Sequence, residues 1–199
     1  MLNLKEKCCL FFCLPISYTE YLNEHNDPQK DFIRLFTENN RKEKRWEEYV
    51  EQIIKPFTKF KDFFSKKGVL VIDNGRYTDF ISLINSQAAE VIILLTHCKC
   101  GGDKEKESIE FYDRMVLSSE ILNTNLTNYP LILDVSVCNP LYLKDQIQIY
   151  HPGFACFSSE GKKDLSVWLL IYASVFAEMH THRKNFSDAF LTVYKSYLR

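Results

Sequence analysis

Apolar positions along the chain follow two rhythms, and these rhythms predict the elements. Continuous apolar runs occur at Cys8-Cys9-Leu10-Phe11-Phe12-Cys13-Leu14, Val69-Leu70-Val71-Ile72-Asp73, Glu90 to Thr96, Leu131 to Val137 and Gly153 to Phe157. Short uninterrupted runs rich in β-branched residues predict strands buried on both faces, the pattern of a parallel sheet. Between them, apolar residues recur every three or four positions, which predicts helices with one buried stripe. Asp27-Pro28 reads as an N-cap and first helical proline ahead of Phe32, Leu35 and Phe36. Trp46, Tyr49, Val50, Ile53, Ile54 and Phe57 form a second stripe, with Arg41, Lys42, Lys44, Arg45, Glu47 and Glu48 solvated and Pro56 marking a kink or an end. Tyr77, Phe80, Ile81 and Ile84 form a third. The chain closes on two more, Leu165-Trp168-Leu169-Tyr172-Phe176-Met179 and Phe186-Ala189-Phe190-Val193-Tyr194-Tyr197, separated by the polar turn from His180 to Asn185. Strand and helix alternate over short links, so the expected fold class is α/β, a three-layer α/β/α sandwich around a mostly parallel central sheet.

Composition narrows this to a single domain over residues 1–199, with 46% hydrophobic and 26% charged residues and only 6 Gly and 6 Pro. The formal net charge of −1, from 25 basic and 26 acidic residues, favours neither nucleic acid nor an anionic membrane as partner. Seven cysteines cannot all pair, and several sit in apolar runs where a free thiol packs as a small hydrophobe; a reducing, cytoplasmic setting is expected. Lys5 and Lys7 before the first apolar run imitate a signal peptide. That run is shorter than a membrane span and lacks a small-residue cleavage site, so it is read as the first strand.

In open α/β sheets, reactive groups collect beyond the carboxyl ends of the strands. The run ending at Thr96 delivers His97 and the run ending at Val137 delivers Cys138, so both side chains are expected at one edge of the sheet. An imidazole beside a thiol is the arrangement that generates a nucleophilic thiolate. Backbone amides in the loops after these strands, including those of Cys98 and Cys138, are candidate oxyanion donors.

This succession resembles the caspase-like cysteine peptidases, and within them the bacterial branch called CHAT domains. The resemblance is carried by the apolar strand closing on His97, then Ile109-Glu110-Phe111-Tyr112-Asp113 with Leu117-Ser118-Ser119-Glu120-Ile121, then Leu131 to Asn139 with its Cys-Asn ending. It extends through Phe154-Ala155-Cys156-Phe157 and the two last helices, covering roughly residues 69–198. The resemblance implies a peptide-bond hydrolase with His97 as general base and Cys138 as nucleophile, no cofactor, a protein substrate, a regulatory protein partner and a role in bacterial defence. Three positions depart from the family pattern: Cys98 stands where the family has glycine, Pro140 where it has a small residue, and Ser136 where relatives cutting after basic residues carry an acid.

Other readings compete with this one. His97, Cys98 and Cys100 are three soft ligands in four positions, but a closed zinc site needs four ligands, and only His151, His180 or His182 could complete it. A caspase-like scaffold or partner-binding module without proteolysis fits the departures. A nucleotide-binding domain is disfavoured, because Asp73-Asn74-Gly75-Arg76 is not a phosphate-binding glycine loop. The charged, glycine-containing turn from Lys99 to Ser108 is expected to be mobile and to border the cleft, and Asp134 to lie deep on the same side as Ser136.

Overall fold

The computed structural model describes residues 4–25, 27, 30, 42–126, 131–159 and 164–197. Five strands, β1 (Cys8–Phe12), β2 (Leu70–Ile72), β3 (Val91–Leu95), β7 (Leu131–Asp134) and β8 (Phe154–Phe157), form one sheet in the order β2-β1-β3-β7-β8. Every neighbouring pair is parallel. Parallel neighbours need crossovers, and the helices supply them. Between β1 and β2 these are α1 (Tyr18–His25), α2 (Lys42–Tyr49) and α3 (Lys55–Lys66). The later helices are α4 (Tyr77–Asn85), α5 (Ser118–Asn123), α6 (Leu141–Tyr150), α7 (Leu165–His182) and α8 (Phe186–Tyr197).

Alternation along each strand sends residues to two separate cores, which is why both faces read as apolar. Leu10, Phe12, Ile93 and Leu95 pack with Phe57, Phe64, Trp168, Phe176 and Phe186 from α3, α7 and α8. Cys9, Phe11, Ile92, Leu94 and Leu133 pack with Phe80, Ile84, Ile121, Leu143 and Ile147 from α4, α5 and α6. The result is the three-layer α/β/α sandwich that the pattern predicts. Phe12 stacks on Phe57 with ring centroids 3.8 Å apart, joining β1 directly to α3. Among the described residues no helix is long and apolar enough to cross a membrane.

Several expectations need correction. Val69 to Asp73 is not a strand buried on both faces: β2 spans three residues at the sheet edge, pairs only with β1, and leaves Leu70 44% exposed. Pro56 does not end the helical run. A π-turn at Val50–Ile54 precedes it, and Pro56 falls in the first turn of α3, where a missing N–H costs little. The intended stripe is nonetheless buried at Tyr49, Ile53 and Phe57, while Arg45, expected in solvent, is half-buried. α7 runs on to His182 and stops where Arg183 adopts a left-handed φ of 51°. The stretch from Lys99 to Ser108 is not simply a loop. Its ends enter a second, antiparallel sheet of β4 (Cys98–Lys99), β5 (Ser108–Glu110) and β6 (Met115–Leu117), leaving residues 100–106 exposed. The helix expected from Asp27-Pro28 through Phe36 lies outside the described residues.

Helix starts follow local chemistry. In α1, Glu20 Oε2 accepts the Ile16 and Ser17 N–H groups at 3.0 Å each, and Ser17 Oγ accepts the Glu20 N–H at 3.3 Å, a reciprocal capping box. In α4, Asp79 accepts the Arg76 N–H at 3.2 Å.

Candidate functional site

β3 and β7 are adjacent and parallel, with Val91 opposite Ile132, Ile92 opposite Leu133 and Ile93 opposite Asp134. That constant offset of 41 residues holds as far as Asp134, where β7 ends, so His97 and Cys138 both lie beyond the paired residues. Contact between the following segments brings the two stretches together. A Cβ placed on Gly101 would lie 3.4 Å from the Asn139 carbonyl oxygen and 3.8 Å from Cys98 Sγ, so the loop after His97 lies against the turn that carries Cys138. His97 and Cys138 are both half-buried.

The strand bearing Cys138 ends sooner than its apolar pattern predicts. β7 stops at Asp134, because the buried Asp134 Oδ1 accepts the Ser136 N–H at 2.9 Å and turns the backbone out of the sheet. The Asn139 N–H closes that turn on the Val135 carbonyl at 2.7 Å, with Asn139 at φ 50°. Cys138 is therefore held in a turn four residues beyond the strand. Asp134 lies deep, as expected, Ser136 is buried too, and the Ser136 carbonyl accepts the Ser159 hydroxyl at 3.0 Å. Burial pushes the Asp134 carboxyl up to about 6, against a lowering contribution from Ser136 and Tyr172 beside it.

Cys98 opens β4. The Glu110 N–H donates to the His97 carbonyl at 2.9 Å, which makes Cys98 and Ile109 a non-hydrogen-bonded pair, so the Cys98 N–H points away from β5. An amide so directed is available to a ligand at the sheet edge. The thiols nearby are protonated. Although part of its surface meets solvent, the Cys138 sulfur is set deep enough that desolvation, and then the neighbouring Cys98, Cys13 and Cys156, push it well above the ordinary thiol range. The Cys138 thiol faces the Val135 carbonyl at 3.7 Å. Burial, then Glu107 and Cys100, raise Cys98 to about 12. Among the described residues no group of three or more His, Cys, Asp or Glu is arranged to hold a metal ion, so the trio of His97, Cys98 and Cys100 does not assemble as ligands.

A second feature lies at the same edge, beside α1. A cavity of about 190 Å³ is lined by Glu20, Glu24, Asp27, Lys30, Tyr112 and Asp113. Lys30 Nζ donates to Glu24 Oε1 at 2.7 Å and to the Tyr112 carbonyl at 2.6 Å, so the acidic lining already holds one cation. Burial raises the Glu24 carboxyl, and Lys30 opposes that rise. Burial pushes the Cys13 thiol well up, with Glu110 and Asp113 adding to the rise and Thr96 and Lys30 opposing it.

The residue that pattern reading misses is Glu107. It is fully buried although it ends the charged stretch Asp103-Lys104-Glu105-Lys106-Glu107, within which nothing distinguishes it. The chain matches no family model, no curated protein and no solved structure.

Exposure and thiol acidity together set an order of reactivity. Cys100 is the exposed cysteine of the chain's described set, whereas Cys8, Cys9 and Cys13 are buried. With limiting iodoacetamide, Cys100 is expected to be alkylated first and Cys138 well after it in the isolated protein, because the thiolate is the attacking species. Peptide mapping of the time course checks this, and early labelling of Cys138 would mean that the sulfur is ionised.

Proposed function

We propose that this chain is a cysteine endopeptidase of caspase-like architecture, with Cys138 as nucleophile and His97 as general base. The observation that supports the reading is that, beyond the adjacent parallel strands β3 and β7, the loop after His97 lies against the turn that carries Cys138, a Cβ on Gly101 falling 3.4 Å from the Asn139 carbonyl oxygen. In the reaction, His97 takes the Cys138 proton as sulfur attacks the scissile carbonyl carbon, and the N–H groups of Cys98 and Cys138 stabilise the resulting oxyanion. The leaving amine departs with the proton from His97, giving a thioester. Water activated by His97 then attacks the thioester, returning the thiol and releasing the acid. No cofactor takes part.

The protonated, desolvated state of Cys138 gives a reason for regulation. An enzyme whose nucleophile is stored as a buried thiol needs a rearrangement before it can act, and a regulatory protein partner would supply it. Cytoplasmic action on a protein substrate, within bacterial defence, completes this proposal on the strength of the family resemblance. The same stored thiol favours a second reading, a caspase-like module that binds a partner without cutting.

The experiment compares wild type with Cys138→Ala in lysate of the native host, identifying new fragments by their N-termini. Fragments produced by wild type alone are expected, with a loss of about 10⁴-fold or more in the variant, the scale of removing a catalytic nucleophile. Identical fragment sets after a binding partner has been captured and added back would select the scaffold.

A further inference from the structure

Glu107 has all four of its acceptor positions engaged. Oε2 accepts the N–H groups of Gly102 at 2.6 Å and Tyr142 at 2.7 Å, and Oε1 accepts the Leu143 N–H at 2.8 Å and the Ser118 hydroxyl at 2.6 Å. The Ser118 N–H also donates to the Glu107 carbonyl at 2.8 Å. A carboxylate offers about four lone-pair sites, so this is a saturated acceptor, and only the ionised acid can serve four donors at once.

The four donors come from three separate segments. Gly102 is in the loop that follows His97 and Cys98, Ser118 opens α5, and Tyr142 and Leu143 are in the first turn of α6, immediately after Cys138-Asn139-Pro140. The carboxylate also meets the positive end of α6, where its charge is favoured. Gly101 sits within this bundle: a Cβ on it would be 3.4 Å from the Asn139 carbonyl, 3.8 Å from Cys98 Sγ and 4.0 Å from Glu107 Oε2.

We propose that Glu107 is the positioning residue of the candidate dyad: one buried carboxylate that fastens the segment after His97 to the segment after Cys138 and so sets the spacing between them. Neither β3 nor β7 can do this, since both end before the residues in question. β4 and β5 alone hold the loop to its own hairpin. Across the gap, the Glu107 carboxylate binds the Tyr142 and Leu143 amides. The consequence for catalysis rests on the peptidase reading; the fastening itself does not.

The test uses the full chain as wild type, Glu107→Gln, and Asp79→Asn, which weakens the α4 cap far from this site. An amide has one acceptor oxygen and must turn its NH₂ toward two of the donors, so Glu107→Gln loses about half of the fastening. Circular dichroism first establishes that each variant is folded. Alkylation of each cysteine with iodoacetamide is then followed by peptide mapping. The expected result is about tenfold faster labelling of Cys98 and Cys138 in Glu107→Gln, with Cys8 and Cys9 unchanged and Asp79→Asn like wild type, because local opening becomes easier only at the fastened segments. Labelling of Cys98 and Cys138 within twofold of wild type in a folded Glu107→Gln overturns the proposal.

Should Glu107→Gln not fold, native-state hydrogen exchange on the wild type decides. Amides of Gly102, Tyr142 and Leu143 opening with a common rate supports the fastening, and Gly102 exchanging about a hundredfold faster than the other two overturns it. Cleavage of lysate proteins is recorded alongside. Fragments lost in Glu107→Gln with kcat falling more than KM rises, and partly restored in Glu107→Asp, extend the role to catalysis. A wild type that cuts nothing, with the labelling contrast intact, removes the peptidase reading and leaves the positioning role standing.

Discussion

Asp134→Asn is expected to stabilise the protein at about pH 7.5 by as much as about 3 kcal/mol, at 1.36 kcal/mol for each pKa unit. The Asp134 carboxyl is fully buried, and burial lifts it from 3.8 to about 6. Because the folded chain binds this proton more tightly than the unfolded chain, stability is fully present below the unfolded value near 3.8. It falls as pH rises through about 6, and stays at the lower level above that. Asparagine cannot ionise, so it removes the slope. Its side-chain oxygen can still accept the Ser136 N–H, and its NH₂ faces the hydroxyls of Tyr172 and Ser136. For a domain of this size, roughly 2–4 °C accompanies each kcal/mol, so a rise in Tm of up to about 6–12 °C is expected at pH 7.5, shrinking towards zero near pH 4. A variant that melts no higher than wild type at pH 7.5 would mean that the carboxylate is better solvated than its surroundings indicate.

Gly75→Ala is expected to destabilise by about 3 kcal/mol, at the upper end of overpacking effects. A Cβ there would fall 2.2 Å from Phe11 Cε1, 2.6 Å from Cδ1 and 2.7 Å from Cζ. Neither side can yield easily. The Phe11 ring is fully buried, edge-on to Phe80 at 5.9 Å and to Phe111 at 6.3 Å. The Gly75 backbone is tied at both polar groups, its N–H donating to the Phe12 carbonyl at 2.8 Å and its carbonyl accepting the Tyr112 N–H at 3.0 Å. The reduced freedom of the unfolded chain returns only about 0.4–1 kcal/mol, too little to offset the clash. Urea unfolding should show a lower midpoint with unchanged slope, and Phe11→Leu in the same chain should recover part of the loss. An unchanged midpoint in Gly75→Ala would show that the ring has room to move.

The sequence pattern located β1, β3, β8, α4, α7 and α8 closely, because each is long or uniformly apolar and its burial dominates every local preference. It misjudged the elements whose limits depend on a single polar contact. Val135, Ser136 and Val137 look as strand-like as Leu131 to Leu133, yet the Asp134 carboxylate captures the Ser136 N–H and ends β7 there. Leu70 to Ile72 looks as buried as Val91 to Leu95, but periodicity carries no information on which strand is at the edge. Pro56 reads as a break, and the π-turn that accommodates it has no signature in residue type.

By itself, then, the order of residues determined the class of fold, the two-faced burial of β1 and β3 and the position of His97 just past β3, since these follow from apolar periodicity, whereas Cys138 lies in a turn four residues past β7. Only the tertiary structure decided that β3 and β7 are neighbours, that burial pushes the Cys138 thiol above its ordinary range, and that Glu107, alone among the five charged residues from Asp103 to Glu107, is buried. Each of these depends on which distant groups meet: on desolvation by surrounding atoms and on donors brought from Gly102, Ser118, Tyr142 and Leu143, contacts that no local pattern encodes.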